Sequence, residues 1–481
     1  MLNASRILVL LFISSIVFAQ APDRDVPPTS GPAPVFRLHG FAQFKLSNGI
    51  PVVLYEKHGI PLVQINAIIR AGSMDEPPGK SGLATMTAAM MTEGAGGRDA
   101  FGVHDAIDYL GADLAVSAGY STTGVTLNTP VGKLDSALAV MADVMRRPTF
   151  PPDELERKRK ESLTALLEWR DEPRALASVL FSHLVYGSHP YGRLLIGTAQ
   201  SIAAFTVADL KQFHAEYFGA DKATFVAAGD IDPAALKEKL ERAFGSWGPA
   251  QPSTAVPLAP LQQVQSRRVY LVDKPGAEQS VIRIGCIGAA RNTEDFYPLV
   301  VMNTVLGGSF SARLNHNLRE THGYTYGAGS EFDFRVEAGP FIASSSVQTP
   351  VTDSSLIEFM KELRAIREPI PDAEVKKARQ YVALGYPSGF QTVGEIAGEM
   401  DDMVVFHLPE SYFNDYIGKV LSVTEQQAHA SAMKYIDPDK LVIVVVGDLA
   451  KIKDKIDALK LGPVSVVTVD DILGKAPSVD R

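Results

Sequence analysis

The chain has 481 residues, 46% of them hydrophobic, enough to bury a large core in two or more domains. A net charge of −9 with no basic stripe argues against nucleic acid as the main partner, and a single cysteine excludes an intramolecular disulfide. That residue, Cys286, sits in the apolar run SVIRIGCIGAA and reads as a buried small hydrophobe.

Residues 1–19 hold one arginine, an apolar run from Ile7 to Phe18, and small residues at Val17 and Ala19, the pattern of a secretory signal segment cut after Ala19. The run is short for a spanning helix and no later segment is longer, so no stable membrane span is expected. The expected location is across an inner membrane, in a periplasm, with the protein held by its cores rather than by disulfides. Residues 20–34, rich in Pro and Asp, are expected to form a disordered tail.

A first domain is expected over residues 35–248. It opens with alternating Val, Ile and Leu strands from Val52, then reaches Gly79–Glu93, GKSGLATMTAAMMTE, a small-residue helix packed through Leu83, Met86 and Met90. Lys80 and Ser81 hint at a phosphate loop, but Met74 stands where its first glycine is needed. After a charged helix comes the turn RDEPRALA, from Arg170. Proline-rich residues 249–266 form an expected semi-rigid linker, and a second domain is expected over 267–470.

The second domain repeats the first. Asp221 and Asp439, like Gly229 and Gly447, are 218 positions apart, and Lys57 and Lys274 are 217 apart. PPDELERKRKESLTAL from Pro151 is echoed by IPDAEVKKARQYVAL from Ile370. This is a duplication. The order of elements predicts an α+β class: two homologous domains, each a mainly antiparallel sheet with helices on one side.

Within the second domain, Leu306–Phe332 reads LGGSFSARLNHNLRETHGYTYGAGSEF. A helix from about Ser309 to Arg319, stopped by Gly323, should lead into a strand, with Gly307 and Gly308 allowing a tight turn. Strand alternation predicts Tyr324 and Tyr326 on one face. On residue type alone, Arg319 reads as a surface ion-pair partner and Tyr326 as a half-buried sheet residue. Ser309 lacks a nucleophile elbow, and His316 and His322 read as polar helix and turn residues. No two histidines stand four apart as metal ligands on one helical face would.

With its flanks, AGSMDEPPGKSGLA and MMTEG, the Gly79–Glu93 helix resembles the segment of the pitrilysin/insulinase metallopeptidase family that carries the zinc motif His-x-x-Glu-His. At the two histidine positions this chain has Thr85 and Ala89, and Ala88 stands at the base; a hydroxyl and two methyls bind no zinc and take no proton. Counting back from Pro173 puts Thr164 and Ala165 where the family's paired glutamates would be, with Glu161 and Glu168 nearby. The resemblance implies that Arg319, and Tyr326 seven residues later, reach the scissile carbonyl of a peptide in a partner's active site, with Tyr324 a further substrate contact. It further implies half of a clam-shaped chamber. No metal is expected in this chain; zinc is expected in a partner, a His-x-x-Glu-His homologue. The function implied is that of the zinc-less subunit of a bacterial two-subunit metalloendopeptidase, inactive alone. The alternatives are a peptide-binding or assembly subunit with no part in the chemistry, and a self-sufficient protease with unconventional ligands.

Overall fold

Strands rich in Val, Ile and Phe build two sheets of six strands each, with the same internal order. The structure, a computed structural model, describes residues 31, 35–254 and 256–477. The predicted signal segment lies outside these residues, as does the predicted tail apart from Gly31. Among the described residues no helix is long and apolar enough to cross a membrane.

The first sheet contains β1 (Ala42–Lys45), β2 (Pro51–Glu56), β3 (Leu62–Ile69), β4 (Asp113–Ala118), β5 (Thr123–Pro130) and β6 (Ala223–Gly229). Its order is β1-β2-β6-β3-β5-β4. The second contains β7 (Arg268–Asp273), β8 (Gln279–Ile287), β9 (Thr325–Phe332), β10 (Pro340–Gln348), β11 (Val442–Gly447) and β12 (Val464–Val467), in the order β12-β7-β11-β8-β10-β9. In each sheet one internal pair is parallel, β2 with β6 and β7 with β11, and the next three pairs are antiparallel. Only the outer edge differs. β1, from the start of the chain, runs antiparallel to β2, whereas β12, from its end, runs parallel to β7.

Each half covers one face of its own sheet with its own helices. The other face is covered by one helix lent by the other half. Four helices matter below: α1 (Leu83–Met91), α2 (Pro152–Asp171), α3 (Pro173–Tyr186) and α4 (Val393–Val405). In α3, Leu176, Ala177, Leu180, Phe181 and Val185 form one apolar stripe, which packs on Val272, Ile342, Val442, Val444 and Val446 of the second sheet. Glu172 caps the start of α3, Pro173 occupies its first turn, and Gly187, at φ 55°, ends it. In α4, a Thr392–Glu395 capping box opens a helix whose Ile396, Ala397, Met400 and Met403 are buried. That helix lies on β3 and β6 of the first sheet. Burying a large aliphatic or aromatic side chain contributes roughly 1.5–3 kcal/mol. This exchange therefore makes the packing between the halves a source of stability alongside each half's own core.

Residues 249–254 and 256–265 form no helix or strand. Cys286 is buried on β8, and burial pushes its thiol up to about 12. Lys80 is paired with Asp209 at 2.9 Å, which removes the phosphate-loop reading.

Candidate functional site

Helix α1 is fixed at its start by a buried acid. Glu76 has no solvent exposure, and its Oε1 accepts from the backbone N–H groups of Gly82 and Ala84, both at 3.0 Å. Burial pushes its carboxyl up to about 8. Gly82 takes a left-handed conformation, and a Cβ there would lie 2.4 Å from the Ile196 carbonyl oxygen. Only glycine fits. Asp75 holds the preceding turn by accepting from Gly72 N at 2.9 Å. At the far end Glu93, also buried, is paired with Arg157 and with Lys158, the latter at 3.0 Å.

Between these anchors Thr85 and Ala89 lie on the half-exposed face of α1, and Ala88 is buried. The Thr85 hydroxyl donates to the Leu195 carbonyl at 2.6 Å. These three residues do not fit a zinc ion, since they offer neither imidazole nor carboxylate and the one hydroxyl is bound to backbone. On α2, Thr164 is exposed and Ala165 half-buried; Glu161 pairs with Arg157 and Lys158, and Glu168 is exposed.

Arg319 and Tyr326 lie elsewhere, on the second half. The predicted helix from Ser309 is shorter at its start. Helical structure begins at Arg313 and then widens into a π-helical turn, His316–Thr321, marked by the His322 N–H donating to Asn317 O at 3.1 Å. Arg319 sits in that turn with its guanidinium 4.7 Å from the Phe310 ring centroid and its Nε 3.2 Å from Glu320. Tyr326 is 88% exposed, not half-buried.

Asn315, which sequence reasoning missed, connects the two. Its Nδ2 donates to Phe310 O at 2.6 Å, and its Oδ1 accepts from Ala328 N at 3.1 Å, so it ties the turn, the helix and the strand. Gly307 permits a close approach to the strand: a Cβ there would lie 2.2 Å from Ser330 N on β9.

Tyr324 and Tyr326 are not related by simple alternation. Tyr324 precedes β9, and a register shift between Thr325 and Ala328 intervenes. The Tyr324 ring stacks on His322 at 4.9 Å. Tyr326, not Tyr324, shares with Arg319 a cleft of about 530 Å3 between α3 and the second sheet. His316 lines a different groove, beside Arg313 and Glu374.

The cleft brings in two further residues that had not been singled out. Arg174 on α3 donates from Nε to Ser346 Oγ at 3.3 Å, and Arg283 on β8 donates to Ser178. The available signal was an arginine inside the apolar strand SVIRIGCI. No residue of α1 lines this cleft, so Thr85, Ala88 and Ala89 are not brought together with Arg319 and Tyr326 in one pocket.

Comparison with known proteins gives a consistent result. The sequence model described as "Insulinase (Peptidase family M16)" matches residues 52–199, and that of the "Peptidase M16 inactive domain" matches residues 204–382. An uncharacterized zinc protease of Rickettsia bellii is 24% identical over 403 residues, which cover 84% of this chain and 90% of that one. The zinc protease YmxG of Bacillus subtilis is 27% identical over 284 residues, 59% of this chain and 68% of its own. Among solved structures, a peptidase M16 inactive domain from Pseudomonas fluorescens superposes with a TM-score of 0.79 at 26% identity, covering 85% of this chain and 98% of that chain. A Helicobacter pylori protease shares the fold, with a TM-score of 0.77 at 20% identity, covering 85% of this chain and all of that one.

Proposed function

Because this chain belongs to the insulinase-type peptidase family M16, yet carries Thr85, Ala88 and Ala89 at the metal and base positions, we propose that it is the zinc-less subunit of a two-subunit metalloendopeptidase. In this reading an exported homologue with an intact His-x-x-Glu-His helix brings the zinc that activates water. This chain encloses the peptide with that partner, in the periplasm. It contributes Arg319 and Tyr326 as donors to the scissile carbonyl oxygen as negative charge develops there.

The observation that carries the reading is the placement of Arg319 and Tyr326 on one open cleft. An 88%-exposed phenol beside a guanidinium stabilises little in the free chain and is available to a ligand.

The test is co-expression with the zinc-bearing homologue. A stable complex should form, with turnover of a fluorogenic peptide above that of the homologue alone. Arg319→Ala and Tyr326→Phe should leave the complex assembled and lower turnover by about a hundredfold, the usual cost of one oxyanion donor. Tyr324→Phe separates the two phenols. Turnover that is indifferent to this chain, or unchanged in both principal variants, would make it the binding or assembly subunit instead.

A further inference from the structure

The cleft that holds Arg319 and Tyr326 is lined by three arginines and no carboxylate. Arg319 comes from the π-helical turn, Arg283 from the middle of β8, and Arg174 from the first turn of α3, so two halves of the chain supply them. The chain as a whole is acidic at −9, so this concentration of positive charge is not a consequence of composition.

Each guanidinium keeps capacity for an anion. Arg319 has Glu320 at 3.2 Å from its Nε, a neighbour that is itself exposed. Among the described residues neither Arg174 nor Arg283 has a carboxylate within ion-pair distance: their partners are the hydroxyls of Ser346 and Ser178. The Nε of Arg283 is buried with no partner. Glu331 and Asp333 act on Arg283 only through space, and the Glu172 side chain is turned to the Arg174 backbone N–H. Serine hydroxyls orient a guanidinium without neutralising it. Three like charges around one cleft repel each other, and Arg283 is half-buried, a state that a bound carboxylate relieves through charge-assisted hydrogen bonds.

We propose that this cleft is a carboxylate subsite, in which Arg174 and Arg283 select peptides carrying an acidic side chain or a free C-terminal carboxylate close to the bond presented to Arg319 and Tyr326. The proposal rests on the shared-site reading above and adds the class of substrate. Arg174 and Arg283 are specificity residues in it, distinct from the donors to the scissile carbonyl.

The test uses the mature chain alone, by calorimetric titration with a short unstructured peptide holding one central Asp. Its Asn analogue is titrated beside it, each with a free and an amidated C-terminus. A carboxylate form should bind about tenfold or more tighter than the form without any, with the advantage shrinking as salt is raised. A preference for Asp over Asn assigns the subsite to side chains, and a preference for the free acid over the amide assigns it to C-termini. Arg283→Gln and the exposed Arg174→Gln should each remove most of the preference; the second does not depend on the fold tolerating the first. Equal affinities for all forms, no binding by any, or a preference that survives both substitutions overturns the proposal. Because no partner is present, such a failure leaves the turnover test of the shared-site reading standing, and the reverse also holds.

Discussion

Glu76 fixes the start of α1. The carboxylate has no solvent exposure and accepts from two backbone donors, which set where α1 begins, while Gly82 lets the loop around Ile196 come into contact. Those roles concern the helix, not the metal. Glu76→Ala leaves the N–H groups of Gly82 and Ala84 buried without an acceptor, at a cost of about 1–3 kcal/mol in chemical unfolding. Burial raises the folded carboxyl from 4.5 to about 8, so the folded state holds it protonated between those values. Glu76→Gln, which keeps a neutral acceptor, should therefore cost much less near pH 7, and equal losses in the two variants would refute this account. The small-residue helix was legible in GKSGLATMTAAMMTE. The role of Glu76 was not, since its two donors follow it in sequence only as a glycine and an alanine.

At the scale of elements, the segment around Arg319 departs most from periodicity. A start at Ser309 was expected, but Gly307 and Gly308 turn the chain against β9 and delay the helix to Arg313. Its last turn then widens to the π form while Asn315 and Asn317 are held by Phe310, Ala328, Glu358 and Glu362. The bulge after Thr325 breaks the alternation that was to align Tyr324 with Tyr326. Spacing counts residues and carries no signal for a π turn or a bulge, both of which are set by contacts distant in sequence. Helix α4 offers a test of an element held across the halves. Asp401 accepts from Asn66 of β3 at 2.6 Å, and burial raises its carboxyl from 3.8 to about 7. A raised folded pKa means that this group's contribution is full below about 3.8 and is lost as pH rises to about 7. Asp401→Asn removes the titration. Thermal unfolding should show the variant gaining on the unsubstituted chain as pH rises through that window, and a constant difference between the two would remove Asp401 as the source.

For the whole molecule, the constant offset of 218 made the duplication legible, and the strand order repeats in both sheets. The exchange of α3 and α4 between the halves was not legible. An apolar stripe on a helix announces burial without saying which sheet it meets, and both sheets present similar Val and Ile faces. The halves are fastened near one end of α3 by Arg335 of the second half. Its guanidinium lies 4.4 Å from the Tyr120 ring and 4.7 Å from the Tyr191 ring, both in the first half, and its Nε donates to Asp333 at 2.9 Å. Around it Tyr186 Oη donates to Ala338 O at 3.0 Å, and Tyr191 Oη accepts from Glu337 N at 3.1 Å. Arg335→Ala takes away the cation from these aromatic faces and leaves Asp333 unpaired. The expected loss is about 2–4 kcal/mol, given how little of the side chain is exposed. The loss should also be local. Amide hydrogen exchange over Pro173–Tyr186 should accelerate more than exchange over Val442–Gly447, because α3 relies on the contact between the halves whereas β11 is paired on both sides by its own sheet. Exchange that rises equally in the two segments would mean that the halves open only by global unfolding, and unchanged stability would mean that the packing of α3 on the second sheet suffices without Arg335.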